Sequence, residues 1–489
     1  MEDIDVIIVG AGLSGIGAAC HLQRHSPQER FVILEGRAQL GGTWDLFRYP
    51  GVRSDSDMFT LGYGFRPWKE AKAIADGPSI LRYLQDTARE HGLLPHMRFG
   101  HRVVRAEWRS ADARWTVEVA RSGDDGRSET FTMQCRFLLM CSGYYRYESG
   151  HQPRWAGMDD YRGRFIHPQH WPQDLDWAGQ RVLVIGSGAT AVTLVPAMAE
   201  RAAQVTMLQR SPTWMATRPS RDALADLLRR ALPARWAHGL VRWKQVLLGL
   251  YFYQVCRRHP QRAARWLHKQ LRLAMGDEQY ARWAPHLSPR YAPWDQRLCL
   301  VPDADLFKAL RAGRADIVTG EIERFTDSGV MLSDGRRLDA DIVVSATGLV
   351  LQQFGGAQLS VDGVPVCAAE HLSYKGAMLS GVPNFANTFG YTNASWTLKS
   401  DLVAAYVCRV LNHLRRHRLA WCAPPHDAAQ PSMPLIDFSS GYIQRAQGEL
   451  PRQGTVPPWR LHQNYPRDTW LLRFGRVDDG VLQFHRAGA

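Results

Sequence analysis

The residues best placed to do chemistry in this chain include two sets of glycines. Gly10, Gly12 and Gly15 follow the apolar run from Val6 to Val9; the chain turns at Gly10 and Gly12 and continues with Leu13, Ile16 and Leu22 at helical spacing. Strand, glycine turn and helix in that order present a helix N-terminus and bare backbone N–H groups to a pyrophosphate. Glu35 closes the next strand, "RFVILEG", twenty residues after Gly15, where a ribose hydroxyl is bound. The pattern recurs at Gly186, Gly188 and Ala191 in "RVLVIGSGATA". The strand after it, "QVTMLQRSP", ends in Arg210 and Ser211 rather than in an acid. A guanidinium there pairs with a 2′-phosphate that an acid would repel, which favours NADPH.

Two dinucleotide sites in one chain suggest a flavin and a nicotinamide. Disulfide reductases of this kind carry a closely spaced cysteine pair beside the flavin. The eight cysteines, at 20, 135, 141, 256, 299, 367, 408 and 422, offer no such pair and no zinc-like spacing. The other class reduces flavin with NADPH and then uses O2. A third cluster, "YRGRFIHPQHWP" at 161–172, sets His167 three residues before His170. With no Cys nearby and no recognisable metal-ligand spacing, a metal site is disfavoured. A buried structural histidine and a connector with a positioning role both stay open.

This stretch resembles the fingerprint of the type I Baeyer–Villiger monooxygenases, class B flavoprotein monooxygenases. The family pattern F-x-G-x-x-x-H-x-x-x-W-[PD] reads here as Tyr161, Gly163, His167, Trp171 and Pro172, with tyrosine for phenylalanine at the first place. "GGTWDLFRYPGVRSDSDM", "SGYY", "GSGATA", "LQRSP", "WDQRLCLVP", "SATG" and "GYTNASWTLK" extend the likeness over nearly the whole chain and look closest to the ethionamide-activating monooxygenase branch. The resemblance implies FAD and NADPH as cofactors, with Gly42, Thr43, Trp44, Thr347 and Gly348 at the cofactor sites. Arg53 and Trp396 fall near the cofactors by motif position, though aromatic core is an equal reading for Trp44 and Trp396. The resemblance makes Arg297 the active-site arginine and Asp55 the acid that pairs with it, where sequence alone would give a structural salt bridge. Asp57 is assigned no chemistry. His167 then sets relative domain positions through hydrogen bonds.

The reaction so implied reduces FAD with NADPH, adds O2 to form a C4a-peroxyflavin, and inserts oxygen into a ketone to give an ester or lactone. A fixed guanidinium stabilises the negative charge of such a species. Protonated, the peroxide oxidises sulfur, and the branch resemblance implies thioethers and thiocarbonyls as substrates. Two other classes stay open: an S- or N-oxygenating flavin monooxygenase that leaves ketones untouched, and a non-oxygenating NADPH-oxidising flavoprotein.

The elements that must position these residues follow from length and pattern. A chain of 489 residues should form two or three domains. The expected fold is α/β, with two doubly wound Rossmann-like dinucleotide-binding domains. Residues 1–150 and 346–489 would form a split FAD domain, and 151–345 an NADPH domain holding a helical insertion at 216–290. The insertion contains "DALADLLRRAL", "RWKQVLLGLYFYQVCRR" and "RAARWLHKQLRLAM". Later, "VAAYVCRVLNHLRRH" reads as a helix and 418–460 as Pro-rich and irregular. Of the net charge of +13, most is local: from Arg218 to Arg272 there are 13 Arg and Lys against Asp222 and Asp226. Nothing there resembles a nucleic-acid module, so no nucleic-acid partner is expected. The segment reads as a buried helix with a solvated basic face, or as a peripheral contact with an anionic membrane or a lipophilic substrate mouth. No apolar run reaches about 18 residues, so no transmembrane helix is expected. Scattered thiols and the lack of a secretory pattern point to the cytoplasm.

Overall fold

A run such as Val6–Val9 offers no polar face to solvent, and it is buried at the inner end of β1 (Glu2–Val9). The computed structural model describes residues 2–123, 128–436 and 438–487. After the first glycine turn come α1 (Leu13–His25), β2 (Phe31–Leu34), β3 (Met97–Arg98), β4 (His101–Arg109), β5 (Arg114–Ser122) and β6 (Ser128–Met140). β1 lies between β2 and β6 and is parallel to both. A strand so placed has both faces covered, which is why its sequence is apolar without alternation. β4 and β5 instead run antiparallel and alternate buried with exposed positions, pairing Trp108 with Trp115 in the core.

The chain then crosses to a second sheet. This sheet is built from β7 (Arg164–Ile166), β8 (Arg181–Ile185), β9 (Gln204–Gln209), β10 (Ala315–Thr319) and β11 (Ile342–Ser345). Its order is β10-β9-β8-β11-β7, and all four pairings are parallel. The second glycine turn leads from β8 into α2 (Ala189–Met198). Helices interrupt this unit: α3 (Ala223–Ala231), α4 (Ala234–Arg258), α5 (Pro260–Met275) and a short helix, Asp277–Trp283. A parallel strand pair, Met215–Arg218 with Cys299–Pro302, brackets them. The chain finally returns to the first sheet. β12 (Gln358–Val361) pairs with β4, β13 (Val364–Pro365) extends the edge, and β14 (Phe385–Asn387) pairs with the end of β6. Helix α6 (Trp396–Arg416) packs along α1.

The outward and return crossings run side by side. Arg146 N–H donates to the Val350 carbonyl at 2.8 Å, His151 N–H to Gly348 at 3.0 Å, and Gln352 N–H to Tyr144 at 3.1 Å. Two sequence expectations need adjusting. Helix α4 starts at Ala234, eight residues before the expected segment, because Pro233 precedes rather than interrupts it. Arg242 is not part of a solvated basic face. It is 7% exposed, and its guanidinium donates to the Phe59 and Gly62 carbonyls at 2.8 and 2.7 Å. Burial is tolerated because Asp401 lies 3.6 Å away and the donors are satisfied.

Candidate active site

A cavity of about 410 Å³ opens above the first glycine turn. Gly10 has φ +106°, and a Cβ there would sit 2.7 Å from the Cys141 carbonyl oxygen. Only glycine allows β1 to turn this close to the end of β6. Gly15 does not line the cavity. A Cβ on it would lie 1.8 Å from the Gly10 oxygen, so its absence lets α1 seat on the turn. Gly12 and Gly42 face one another, and a Cβ on Gly42 would come within 3.1 Å of Gly12 Cα. The first turn of α1 has no side-chain cap. Open N–H groups beside a cleft between two glycine backbones fit a pyrophosphate.

Glu35 is 6% exposed and lines the cavity. Its carboxylate accepts from Ala11 N–H at 2.7 Å and Arg37 N–H at 2.9 Å. Burial pushes its pKa up, against those two hydrogen bonds. The carboxylate therefore clamps the glycine turn and keeps lone pairs for a ribose hydroxyl. Thr43 accepts from Tyr145 Oη at 2.6 Å. Trp44 lines the cavity and also packs on the core beside α1. Trp396 donates from Nε1 to Ser14 Oγ at 2.8 Å and stacks on Tyr144, with ring centroids 5.0 Å apart. Cys141, on the cavity wall, has its thiol pushed up to about 12 by burial, so it stays protonated.

Arg297 and Asp55 meet on this cavity. Arg297 Nε lies 3.3 Å from Asp55 Oδ2, with side chains 43% and 27% exposed. The bracketing strand pair delivers Arg297, two residues before Cys299. Burial is the largest influence and pulls its pKa down, but Asp55, with smaller help from Tyr144, Tyr442 and Cys299, holds it above the ordinary value. Arg53 also lines the cavity and is ion-paired with Asp305. Asp57 faces elsewhere: it caps the short helix Met58–Leu61, accepting from Thr60 N–H at 3.1 Å.

The second turn repeats the first. Gly186 has φ +127°, and a Cβ would meet the Ala346 oxygen at 2.4 Å, as Gly10 meets Cys141. Gly188 precedes α2, which again lacks a side-chain cap, and Ala191 is fully buried. Arg210 and Ser211 are exposed just past β9, and Ser187 Oγ donates to the Ser211 carbonyl at 3.2 Å. Thr347 and Gly348 do not line the first cavity. Thr347 Oγ1 donates to the His151 carbonyl at 2.5 Å, and Gly348 accepts from His151 N–H.

His167 lies with them and does not line the cavity that Arg297 and Asp55 share. Its Nδ1 accepts from Gln169 N–H at 3.2 Å, and burial lowers its pKa against a backbone bond to Gly348. A Cβ on Gly150 would lie 1.9 Å from its ring. Gln169, almost fully buried, donates to the Arg146 and Tyr147 carbonyls, both at 2.8 Å. Tyr161 Oη donates to the Ala340 carbonyl at 2.9 Å, and Gly163 has no room for a side chain beside it. The 161–172 stretch thus binds the second sheet to the crossing segments.

Sequence reasoning assigned no role to Tyr144, to Tyr391 or to the Arg53–Asp305 pair. Tyr391 lines the cavity and donates to Asp468 at 2.7 Å, an acid that Lys399 also holds at 2.8 Å. "SGYY" and "GYTNASWTLK" carried part of this signal, but Asp305 and Asp468 lie too far along the chain to be paired by spacing.

Comparison with known proteins gives a consistent picture. Residues 73–355 match the flavin-binding monooxygenase-like family model, and residues 8–77 match an NAD(P)-binding Rossmann-like domain. The chain is 50% identical to the FAD-containing monooxygenase EthA of Mycobacterium tuberculosis, covering 100% of this chain and 99% of that one. EthA of Mycolicibacterium smegmatis is also 50% identical, over 99% and 98% of the two chains. Among solved structures, a steroid monooxygenase bound to NADP aligns over 99% of this chain and 100% of its own, with TM-score 0.74 and 22% identity. A cyclohexanone monooxygenase bound to ε-caprolactone aligns over 99% and 100%, with TM-score 0.76 and 18% identity.

Proposed function

Because the chain belongs to the flavin-binding monooxygenase-like family and lies among its EthA-type members, we propose that it is an FAD- and NADPH-dependent monooxygenase. Its reaction inserts one oxygen of O2 into a ketone to give an ester or lactone, and it also oxidises sulfides and thiocarbonyls. The observation that carries this reading is the Arg297–Asp55 ion pair, which faces the same cavity as the first glycine turn. Bound FAD, reduced by NADPH, supplies the activation of O2.

The chain's own residues do the rest. Gly10, Gly12 and Gly42 admit the FAD pyrophosphate, and Glu35 binds a ribose hydroxyl. Gly186, Gly188 and Ala191 do the same for NADPH, whose 2′-phosphate pairs with Arg210 beside Ser211. The return of β12, β13 and β14 to the first sheet supports a FAD unit of 1–150 with 346–489 and an NADPH unit of 151–345. Arg297 holds a positive charge that does not titrate in the working range, where negative charge gathers on a ketone oxygen under attack. Asp55 orients that guanidinium from one side and leaves the rest of it facing the cavity. His167, with Thr347 and Gly348, positions the two units and touches no reacting atom. The expected setting is the cytoplasm, with peripheral membrane contact through 216–290.

The test is to supply isotopically labelled dioxygen with NADPH and either cyclohexanone or thioanisole. Label in the ester oxygen of ε-caprolactone and in the sulfoxide is the expected result. Sulfoxide without lactone would reduce the reading to an S-oxygenase. Hydrogen peroxide as the sole product would remove the oxygenase reading altogether.

A further inference from the structure

Helix α4 is apolar on two opposite sides. Ala237, Val241, Val246 and Cys256 face inward, and Val246 packs against Tyr391 and Leu398. Tyr391 in turn lines the cavity. On the outer side Trp236, Leu240, Trp243, Leu247 and Tyr251 are 70, 51, 43, 54 and 69% exposed. Steps of four, three, four and four residues place them in one stripe along the helix. At the rise of an α-helix the stripe is about 22 Å long. Leu227 of α3 and Trp266 of α5 add exposed apolar surface on the adjoining helices. Trp243 leans on the Tyr465 ring, but exposed apolar surface of this extent still marks a binding face.

Charge decides the occupant. Arg230, Arg235, Arg258, Arg262 and Lys269 are exposed and form no ion pair with the described residues. A second copy would bring these like charges together, whereas anionic headgroups would neutralise them. No helix among the described residues is long and apolar enough to cross a membrane, so α4 can lie on a bilayer but not span it.

We propose that α4 docks this chain on the surface of an anionic bilayer, its stripe among the upper acyl chains and the flanking Arg and Lys among the headgroups, so that lipophilic substrate reaches the cavity from the lipid. The delivery step rests on the oxygenase reading above; the docking does not. Flotation of the full-length holoenzyme with vesicles separates the two, because it is read without turnover. The protein should float with mixed phosphatidylcholine–phosphatidylglycerol vesicles, stay behind with phosphatidylcholine alone, and be partly released by high salt. The Leu247→Glu/Tyr251→Glu variant should lose at least about tenfold in binding while keeping its flavin content and far-UV spectrum. Arg258→Glu/Arg262→Glu should weaken binding to anionic vesicles in the same direction. A long-chain ketone held in the vesicles should be oxidised several-fold faster by the wild type than by the stripe variant, with dissolved cyclohexanone oxidised equally by both. Wild-type protein that never floats, or a stripe variant that floats as well as the wild type, would overturn the docking. So would sedimentation velocity showing a wild-type dimer that the stripe variant dissolves, with no vesicle binding by either.

Discussion

Arg297 is held by one carboxylate oxygen at 3.3 Å, leaving much of its fork facing the cavity. A guanidinium in that position serves by its shape as much as by its charge, and an ammonium cannot reproduce the planar donor array. Arg297→Lys should therefore lower product formed per NADPH consumed by roughly a hundredfold, the scale seen when one oriented donor is removed from such a site. The measurement is lactone against NADPH consumption, with peroxide assayed in parallel; wild-type coupling would exclude Arg297 from the chemistry. His238, buried on α4, makes a different prediction. Burial first, and the nearby charge of Arg242 second, lower its pKa to about 4 from the 6.5 of an ordinary histidine. The unfolded chain then takes up the proton before the folded one does. Its contribution to stability is complete above pH ~6.5 and is lost as pH falls toward ~4, by up to about 3 kcal/mol. In His238→Gln the unfolding midpoint should depend less steeply on pH across that window, and an unchanged slope would mean other groups set it.

At the scale of elements, the fingerprint stretch joins the second sheet to the crossings. In Gly163→Ala the new methyl carbon would lie 2.2 Å from Tyr161 Oη and 2.6 Å from the Asp341 oxygen. The ring can swing away but the backbone cannot, so a loss of about 1–3 kcal/mol is expected, read as a lower melting temperature. His167→Ala should fold and bind flavin but oxidise NADPH with little product, because its partners lie in the crossings and not around Arg297. Coupling as good as wild type would reduce His167 to a packing residue.

Much at this scale was legible in the sequence, for physical reasons. A glycine turn between an apolar strand and a helix is a local motif, so Gly10, Gly12, Gly186 and Gly188 could be read from spacing, and Glu35 from a strand's length. The Arg297–Asp55 pair was reached through the family resemblance, since 242 positions separate the two residues. Asp305 against Arg53 and Asp468 against Tyr391 had no such aid. Arg242 looked solvated because its neighbours in sequence are basic, whereas the carbonyls it bonds belong to residues 59–62.

In the whole molecule the cavity, the second glycine turn and α4 stand in sequence along one path: α4 packs on Tyr391, Tyr391 faces the cavity, and the crossings lead from the cavity to Gly186. The two crossings between the sheets run antiparallel around a single bridge, Tyr145–Leu351, and are bonded at Tyr144–Gln352, Arg146–Val350 and Gly348–His151. A single tether would let the two sheets swivel freely. A bonded ribbon resists torsion about its length and yields mainly to bending. With the Arg53–Asp305 and Arg242 contacts beside it, this bonded pair of crossings limits how far the second glycine turn can twist away from the first, which would keep a nicotinamide carried on the second sheet close to the cavity.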